Sequence, residues 1–259
     1  MKKYRYRNLR GDFVEKALIF GASSKLAQSL ALSLTENSLY EVYLVGHKNG
    51  FESDNPAIKV IRDCDVTNWN SVKNVFEDCI SNDFVPNAVV NCTGTSGQCS
   101  ITDMSYEEWR RVMGVNLDGA FNICQNAISF LKDSDRHTNI VLIGSAYGVR
   151  YIPNLVHYCT SKAAVSALVG ALSVEAAKYD ISIGTVIPSM FLSNMTAPFY
   201  EDTQYIQKLK EHFPGGRLID IESVVNSIVF LLNEKGMSLN GVEIKVDGGF
   251  LNRIEGGIS

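Results

Sequence analysis

The 259 residues are 46% hydrophobic and 20% charged, with a formal net charge of −4; this is enough apolar sequence for one large core and gives no general positive field for nucleic acid. Lys, Asp, Asn or Gly interrupts every apolar run short of a bilayer's thickness, so no membrane span is expected. Six cysteines without paired C-x-x-C spacing and four scattered histidines argue against a disulfide framework or a metal site, and for reduced thiols in the cytoplasm.

The chain opens on MKKYRYRNLR, whose five Lys/Arg are followed by no apolar h-region. Residues 1–15 therefore read as a solvated basic arm and not a secretory signal, ahead of a single domain over 16–259. Within that domain, short apolar runs alternate with longer amphipathic stretches. Strands are predicted at 16–21, 41–46, 58–62, 87–92, 138–144, 181–187 and 242–246. Helices are predicted over 24–36, 69–81, 105–131, 157–179, 200–211 and 220–233. The alternation is that of a mostly parallel, seven-stranded, doubly wound (Rossmann) α/β sheet with helices on both faces. Right-handed crossovers would place the ligand crevice at the carboxyl ends of the strands, where their order reverses. Gly21, Asn91, Ser145 and Pro188 all fall at or just past predicted strand ends, so the fold would gather them on one rim.

Two segments carry chemistry. In GASSKLA, which follows the apolar run KALIF, the backbone turns from strand to helix, and helix-start amides there can meet a diphosphate. Tyr158 and Lys162 stand four apart in YCTSK, thirteen residues after Ser145, so a helix would put phenol and ammonium on one face. A cation at ~4 Å in an effective dielectric of ~20 is worth about 4 kcal/mol, the amount needed to bring a phenol from ~10 to roughly 7. On that reasoning Tyr158 is a candidate proton donor or acceptor with an acidified phenol.

Taken with Asn91 to Gly94 in AVVNCTG and Asn116 in MGVNLDGAF, these motifs resemble the short-chain dehydrogenase/reductase family in its shorter single-domain branch, including ketoacyl-carrier-protein reductase-like members. The resemblance runs from Lys16 to Phe250, with the motifs in the family's order. It implies a nicotinamide dinucleotide held by Gly21, Ser23, Ser24, Leu26, Asp65, Val66, Asn91, Gly94, Tyr158, Lys162, Pro188 and Ser193, with Lys25 either reaching the phosphates or extending into water. It implies catalysis by Asn116, Ser145, Tyr158 and Lys162, and further landmarks at Pro214 to Arg217, Glu222 and Asp247 to Gly249. The family pattern has Gly where this chain has Lys25, Ala27 and Ser189, and Thr where it has Ser193. After the second strand come Gly46, His47 and Lys48 in place of an acidic residue, which favours NADP(H) over NAD(H) because a 2′-phosphate would meet cations there.

The resemblance also implies a substrate lid over about 189–213, rich in apolar and aromatic side chains. Gln98, Tyr147, Tyr151 and Phe191 are candidate substrate contacts, and Arg150 either pairs with a substrate anion or is a surface charge. The expected activity is hydride transfer between a nicotinamide and a small-molecule carbonyl or secondary alcohol, most simply ketone reduction by a homotetramer or homodimer paired through the helices at 105–131 and 157–179. An NAD-dependent alcohol or polyol dehydrogenase is the alternative. So is a dinucleotide-binding regulatory protein without catalysis, and a lyase or epimerase would ordinarily need a larger substrate lobe.

Overall fold

A computed structural model describes residues 14–36, 40–47 and 51–253. Its seven strands are β1 (Glu15–Phe20), β2 (Tyr40–Val45), β3 (Ile58–Ile61), β4 (Ala88–Asn91), β5 (Thr138–Ile143), β6 (Ile181–Pro188) and β7 (Glu243–Val246). They form one sheet in the order β3-β2-β1-β4-β5-β6-β7, with every pair parallel. Among the described residues the eight α-helices are α1 (Lys25–Thr35), α2 (Trp69–Ser81), α3 (Tyr106–Met113), α4 (Gly119–Leu131), α5 (Val156–Ala176), α6 (Ala197–Glu201), α7 (Thr203–Glu211) and α8 (Ile221–Asn233).

The inner strands are buried on both faces because successive strand residues point to opposite sides and both sides are apolar there, whereas the edge strand β7 exposes Glu243 and Lys245. Leu18 and Phe20 of β1 join a core with Phe76 of α2, Ile123 of α4 and Val165 of α5. Ala17 and Ile19 join the opposite core, with Leu30 of α1 and Ile228 of α8. A third, smaller cluster of Met190, Leu209, Phe213 and Phe250 carries the segment between β6 and α8. Strand order reverses at β1, between β2 and β4, so the crevice expected of such a sheet opens above that strand.

Three local features depart from the expected elements. Strand β1 begins at Glu15, inside the expected arm, and the Glu15 carboxylate pairs with Arg136 and Lys235; residues 1–13 lie outside the described residues. The single helix expected over 105–131 is divided by a π-helical turn at Gly114–Asp118, which joins α3 to α4. The helix expected over 200–211 breaks at Asp202, whose side chain caps α7 by accepting from the amides of Gln204 and Tyr205.

Candidate active site

The carboxyl ends of β1, β4, β5 and β6 surround a cleft of about 390 Å³. On one side lie Ser23, Ser24 and Leu26, from the turn that leads into α1. Gly21, at φ +106°, makes that turn, and a Cβ there would stand 3.0 Å from the carbonyl carbon of Cys92. Only glycine meets both demands, because an L side chain is strained at this φ and the next strand's backbone fills the space. The Gly21 and Ala22 amides donate to the Val45 carbonyl, and Ser24 caps α1 by accepting from the Leu26 amide. A bare backbone curve at a helix start suits a diphosphate, so the residues present fit the dinucleotide that the sequence implies.

Lys25 points elsewhere. It lines a separate cavity of about 730 Å³, together with Gln28, Leu32, Leu192, Lys210 and Arg217, and is not part of the cleft wall. Ala27 is fully buried in the α1 core, so the methyl group in place of a glycine hydrogen is accommodated by packing. His47 is exposed at the end of β2, near enough to Asp65 to favour its charge; Lys48 lies outside the described residues. Burial pushes the Asp65 carboxyl up, but Thr67 donates to Oδ1 from both its amide and its hydroxyl, and the net shift is below the ordinary value. Val66 is buried, and its carbonyl accepts from the Asn122 side chain.

Beyond β4, Asn91 turns the chain by accepting from the amide and hydroxyl of Thr93, and Gly94 follows against the site. A Cβ on Gly94 would lie 3.6 Å from both Lys162 Nζ and Asn116 Oδ1. Asn116 sits in the π-helical turn, 2% exposed. Its Oδ1 accepts from the Thr95 amide at 2.8 Å, while its Nδ2 donates to the Thr95 carbonyl at 3.0 Å and the Ser161 hydroxyl at 2.9 Å. Ser161 in turn donates to the Tyr158 carbonyl at 2.8 Å. Asn116 thereby ties the loop after β4 to α5, and a π turn, with its extra residue, is the device that aims it inward. Thr95 and Ser161 went unnoticed in the sequence because their roles exist only across elements.

Ser145, Tyr158 and Lys162 meet in the cleft. The Ser145 hydroxyl stands close enough to the Tyr158 phenol to favour its charged form, and Lys162 Nζ donates to the Ile143 carbonyl at 2.8 Å. The ammonium stands 6.0 Å from the centre of the Tyr158 ring. Here the electrostatics differ from the sequence expectation. Burial pushes the Tyr158 phenol up, and the nearby Ser145 hydroxyl offsets only part of that. Burial also lowers Lys162, to about 8. The helical spacing does bring the two groups into one cleft, but a Coulomb attraction alone leaves out the desolvation of both. The neighbouring His157 is wholly buried, with Nε2 3.4 Å from Glu108 Oε1, and lies outside the cleft wall.

Pro188 ends β6, and the amide of Ser189 continues the pairing with the Val246 carbonyl. Ser189 is not among the described residues with positive φ, so serine suits a position where the family pattern has glycine. The Ser193 hydroxyl lies 3.0 Å from that of Thr196. Gln98, Tyr147 and Phe191 line the cleft, with Ile152, Leu155 and Met190. Arg150 and Tyr151 do not. The Arg150 guanidinium stacks 4.9 Å over the Phe250 ring and donates to its carbonyl, and Tyr151 is 70% exposed. Lys162 is the only charged side chain in the wall among the described residues. Two residues absent from the sequence reading also shape the site. Gly148 lets the turn after Ser145 pass against α5, and Asn194 donates to the Ser23 carbonyl at 2.7 Å.

At the C-terminal end, Asp247 accepts from the amides of Gly249 and Leu251, and Gly248 and Gly249 both hold positive φ. No helix among the described residues is long and apolar enough to cross a membrane, and they hold no cluster of metal-ligating side chains.

Residues 49–251 match the family described as enoyl-(acyl carrier protein) reductase. The chain is 25% identical over 245 residues to L-xylulose reductase of Caenorhabditis elegans, an alignment covering 93% of this chain and 98% of the relative. It is 26% identical over 242 residues to 3-oxoacyl-(acyl-carrier-protein) reductase of Staphylococcus epidermidis, covering 91% and 98%. In fold it is similar to the aldohexose dehydrogenase of Thermoplasma acidophilum, with a TM-score of 0.86 and 24% identity over 95% of this chain and 98% of the other. It is also similar to ElxO solved with NADP bound, with a TM-score of 0.85 and 22% identity over 93% and 100%. With the motif order, the all-parallel sheet and a family match over most of its length, the chain belongs to the short-chain dehydrogenase/reductases and is an oxidoreductase of that family.

Proposed function

We propose that this protein is an NADP(H)-dependent reductase of uncharged, apolar-bodied ketones. The observation that carries the reading is a phenol, kept protonated by burial, beside a serine hydroxyl in a cleft where Lys162 is the only charged wall residue among the described residues. A bound nicotinamide supplies the hydride. Ser145 then donates to the carbonyl oxygen, Tyr158 gives that oxygen its proton as the carbon is reduced, and the product is a secondary alcohol. The phenolate regains its proton from solvent. Lys162 and Asn91 would hold the nicotinamide half, and Ser23, Ser24 and Leu26 the diphosphate. Asp65, whose two hydrogen bonds fall on Oδ1, would offer Oδ2 to the adenine.

NADP(H) is favoured by the absence of a carboxylate just after β2, where Gly46 and His47 stand instead. An apolar ketone is favoured by Ile152, Leu155, Met190 and Phe191 in the wall, with Gln98 available for one polar contact. Both sequence relatives described above carry the name reductase. The test is kcat/KM for NADPH and NADH against a panel of ketones. NADPH should lead by at least tenfold; an NADH preference overturns the cofactor assignment, and no oxidation of either coenzyme with any ketone overturns the reductase reading.

The same reading includes a homotetramer formed through α4 and α5. Phe121 on α4 is 46% exposed and Val174 on α5 is 79% exposed, large apolar surfaces on the two helices through which relatives are expected to pair. Sedimentation equilibrium should give about four times the chain mass of 28.6 kDa, and a monomer at micromolar concentration would contradict it.

A further inference from the structure

The β6–α8 segment crosses the cleft and is joined to the opposite wall by a side chain. Asn194 Nδ2 donates to the Ser23 carbonyl at 2.7 Å, bridging residues 171 apart in sequence. Each end of this bond is firmly seated. Ser23 belongs to the turn fixed by Gly21, where the Ser24 amide returns to the Gly21 carbonyl at 2.8 Å. Asn194 belongs to a compact knot. Thr196 donates from its hydroxyl to the Phe191 carbonyl at 2.6 Å and accepts from the Ser193 amide at 2.8 Å. The bond therefore joins two preformed pieces, and breaking it requires one of them to move.

Both pieces line the cleft: Ser23, Ser24 and Leu26 on one side, Ser193, Asn194, Met195 and Thr196 on the other. A diphosphate lying on the turn between them would pass beneath the Asn194 amide. We propose that Asn194 is a positioning residue that clasps the β6–α8 segment over the bound dinucleotide, so that its bond to Ser23 must open before the cofactor can leave. The inference rests on the cofactor reading above, but it concerns the rate of release and not the chemistry. Asn194 is a side chain on the β6–α8 wall of the cleft and takes no part in proton transfer.

The experiment is stopped-flow release of NADPH from the full-length protein, followed by nicotinamide fluorescence after mixing with excess NADP+. Asn194→Ala should speed dissociation about threefold to tenfold, the change expected from loss of one hydrogen bond. Asn194→Asp keeps the side chain's size but sets a carboxylate against the Ser23 carbonyl, and should speed release at least as much. Midpoints of thermal unfolding should match the wild type within about 2 °C for both, since the side chain lies at the cleft rim and not in a core. Unchanged or slower release in either folded variant overturns the clasp. Failure of the wild type to bind NADPH at all would instead overturn the cofactor reading, so the two outcomes are distinguishable.

Discussion

Replacing Tyr158 with Phe should lower turnover with any accepted ketone by about 10²- to 10⁴-fold, the range of a positioned general acid, while NADPH affinity changes by less than about threefold. Phenylalanine keeps the ring, which stands 6.0 Å from Lys162 Nζ, and deletes only the hydroxyl beside Ser145. The loss should appear in kcat, because the proton is needed only as charge develops on the substrate oxygen. Retained turnover would remove Tyr158 from the mechanism. The pH profile gives an independent reading. Because the phenol is pushed up from its ordinary value, it stays protonated through the neutral range, and reduction should be level with pH there. Lys162, lowered to about 8, loses its charge above that pH, so the reductive rate should decline from about pH 8 upward. The oxidative direction has the opposite sign, since it needs the phenolate and gains as the tyrosine deprotonates. A reductive rate that rises with pH would contradict the assignment.

The central strands were legible in the sequence because they are short apolar runs ended by a polar or glycine turn, as burial on both faces demands, while the edge strands β3 (IKVI) and β7 (EIKV) mix apolar and charged residues. Helices α1, α2, α5 and α8 fell within a few residues of expectation, since their faces are unbroken. The π turn at Gly114–Asp118 was not legible: one extra residue per turn leaves the apolar pattern almost intact while Asn116 turns inward, against Thr95 and Ser161. The break at Asp202 did carry a signal, an aspartate three residues before Tyr205, which is the position of a helix cap. Lys25 and Arg150 were ambiguous for a different reason. A long cation's direction depends on neighbours far away in sequence, and here Lys25 turns toward the 217–222 segment and Arg150 lies on Phe250. The same limit applies to Tyr158, where spacing located the cation but the burial of both groups determined the direction of the shift.

Gly148 is the residue whose exchange should disturb the site most without touching its chemistry. The 3₁₀ turn Ala146–Gly148 follows Ser145 directly and lies against α5. A Cβ at position 148 would stand 2.8 Å from the Lys162 carbonyl carbon, 2.9 Å from the Ala163 amide nitrogen and 3.1 Å from the Lys162 carbonyl oxygen. All three atoms are backbone, so no rotamer change relieves the clash. Either the turn or the helix must move, and the turn is bound to Ser145 by the Gly148 amide donating to the Ser145 carbonyl at 2.9 Å. Displacement in either direction separates Ser145 from Tyr158 and Lys162. Gly148→Ala should therefore cost about 1–3 kcal/mol of stability, the range for overpacking. It should also lower kcat/KM about 100-fold, as expected for a shift approaching 1 Å between groups that must act together. Gly236→Ala is the control, because its φ is not positive and a Cβ there meets only the end of the Glu234 side chain, at 3.8 Å. That variant should be as active and as stable as wild type. Full turnover in folded Gly148→Ala would mean that the close passage of the turn against α5 does not set the distance between the serine and the tyrosine.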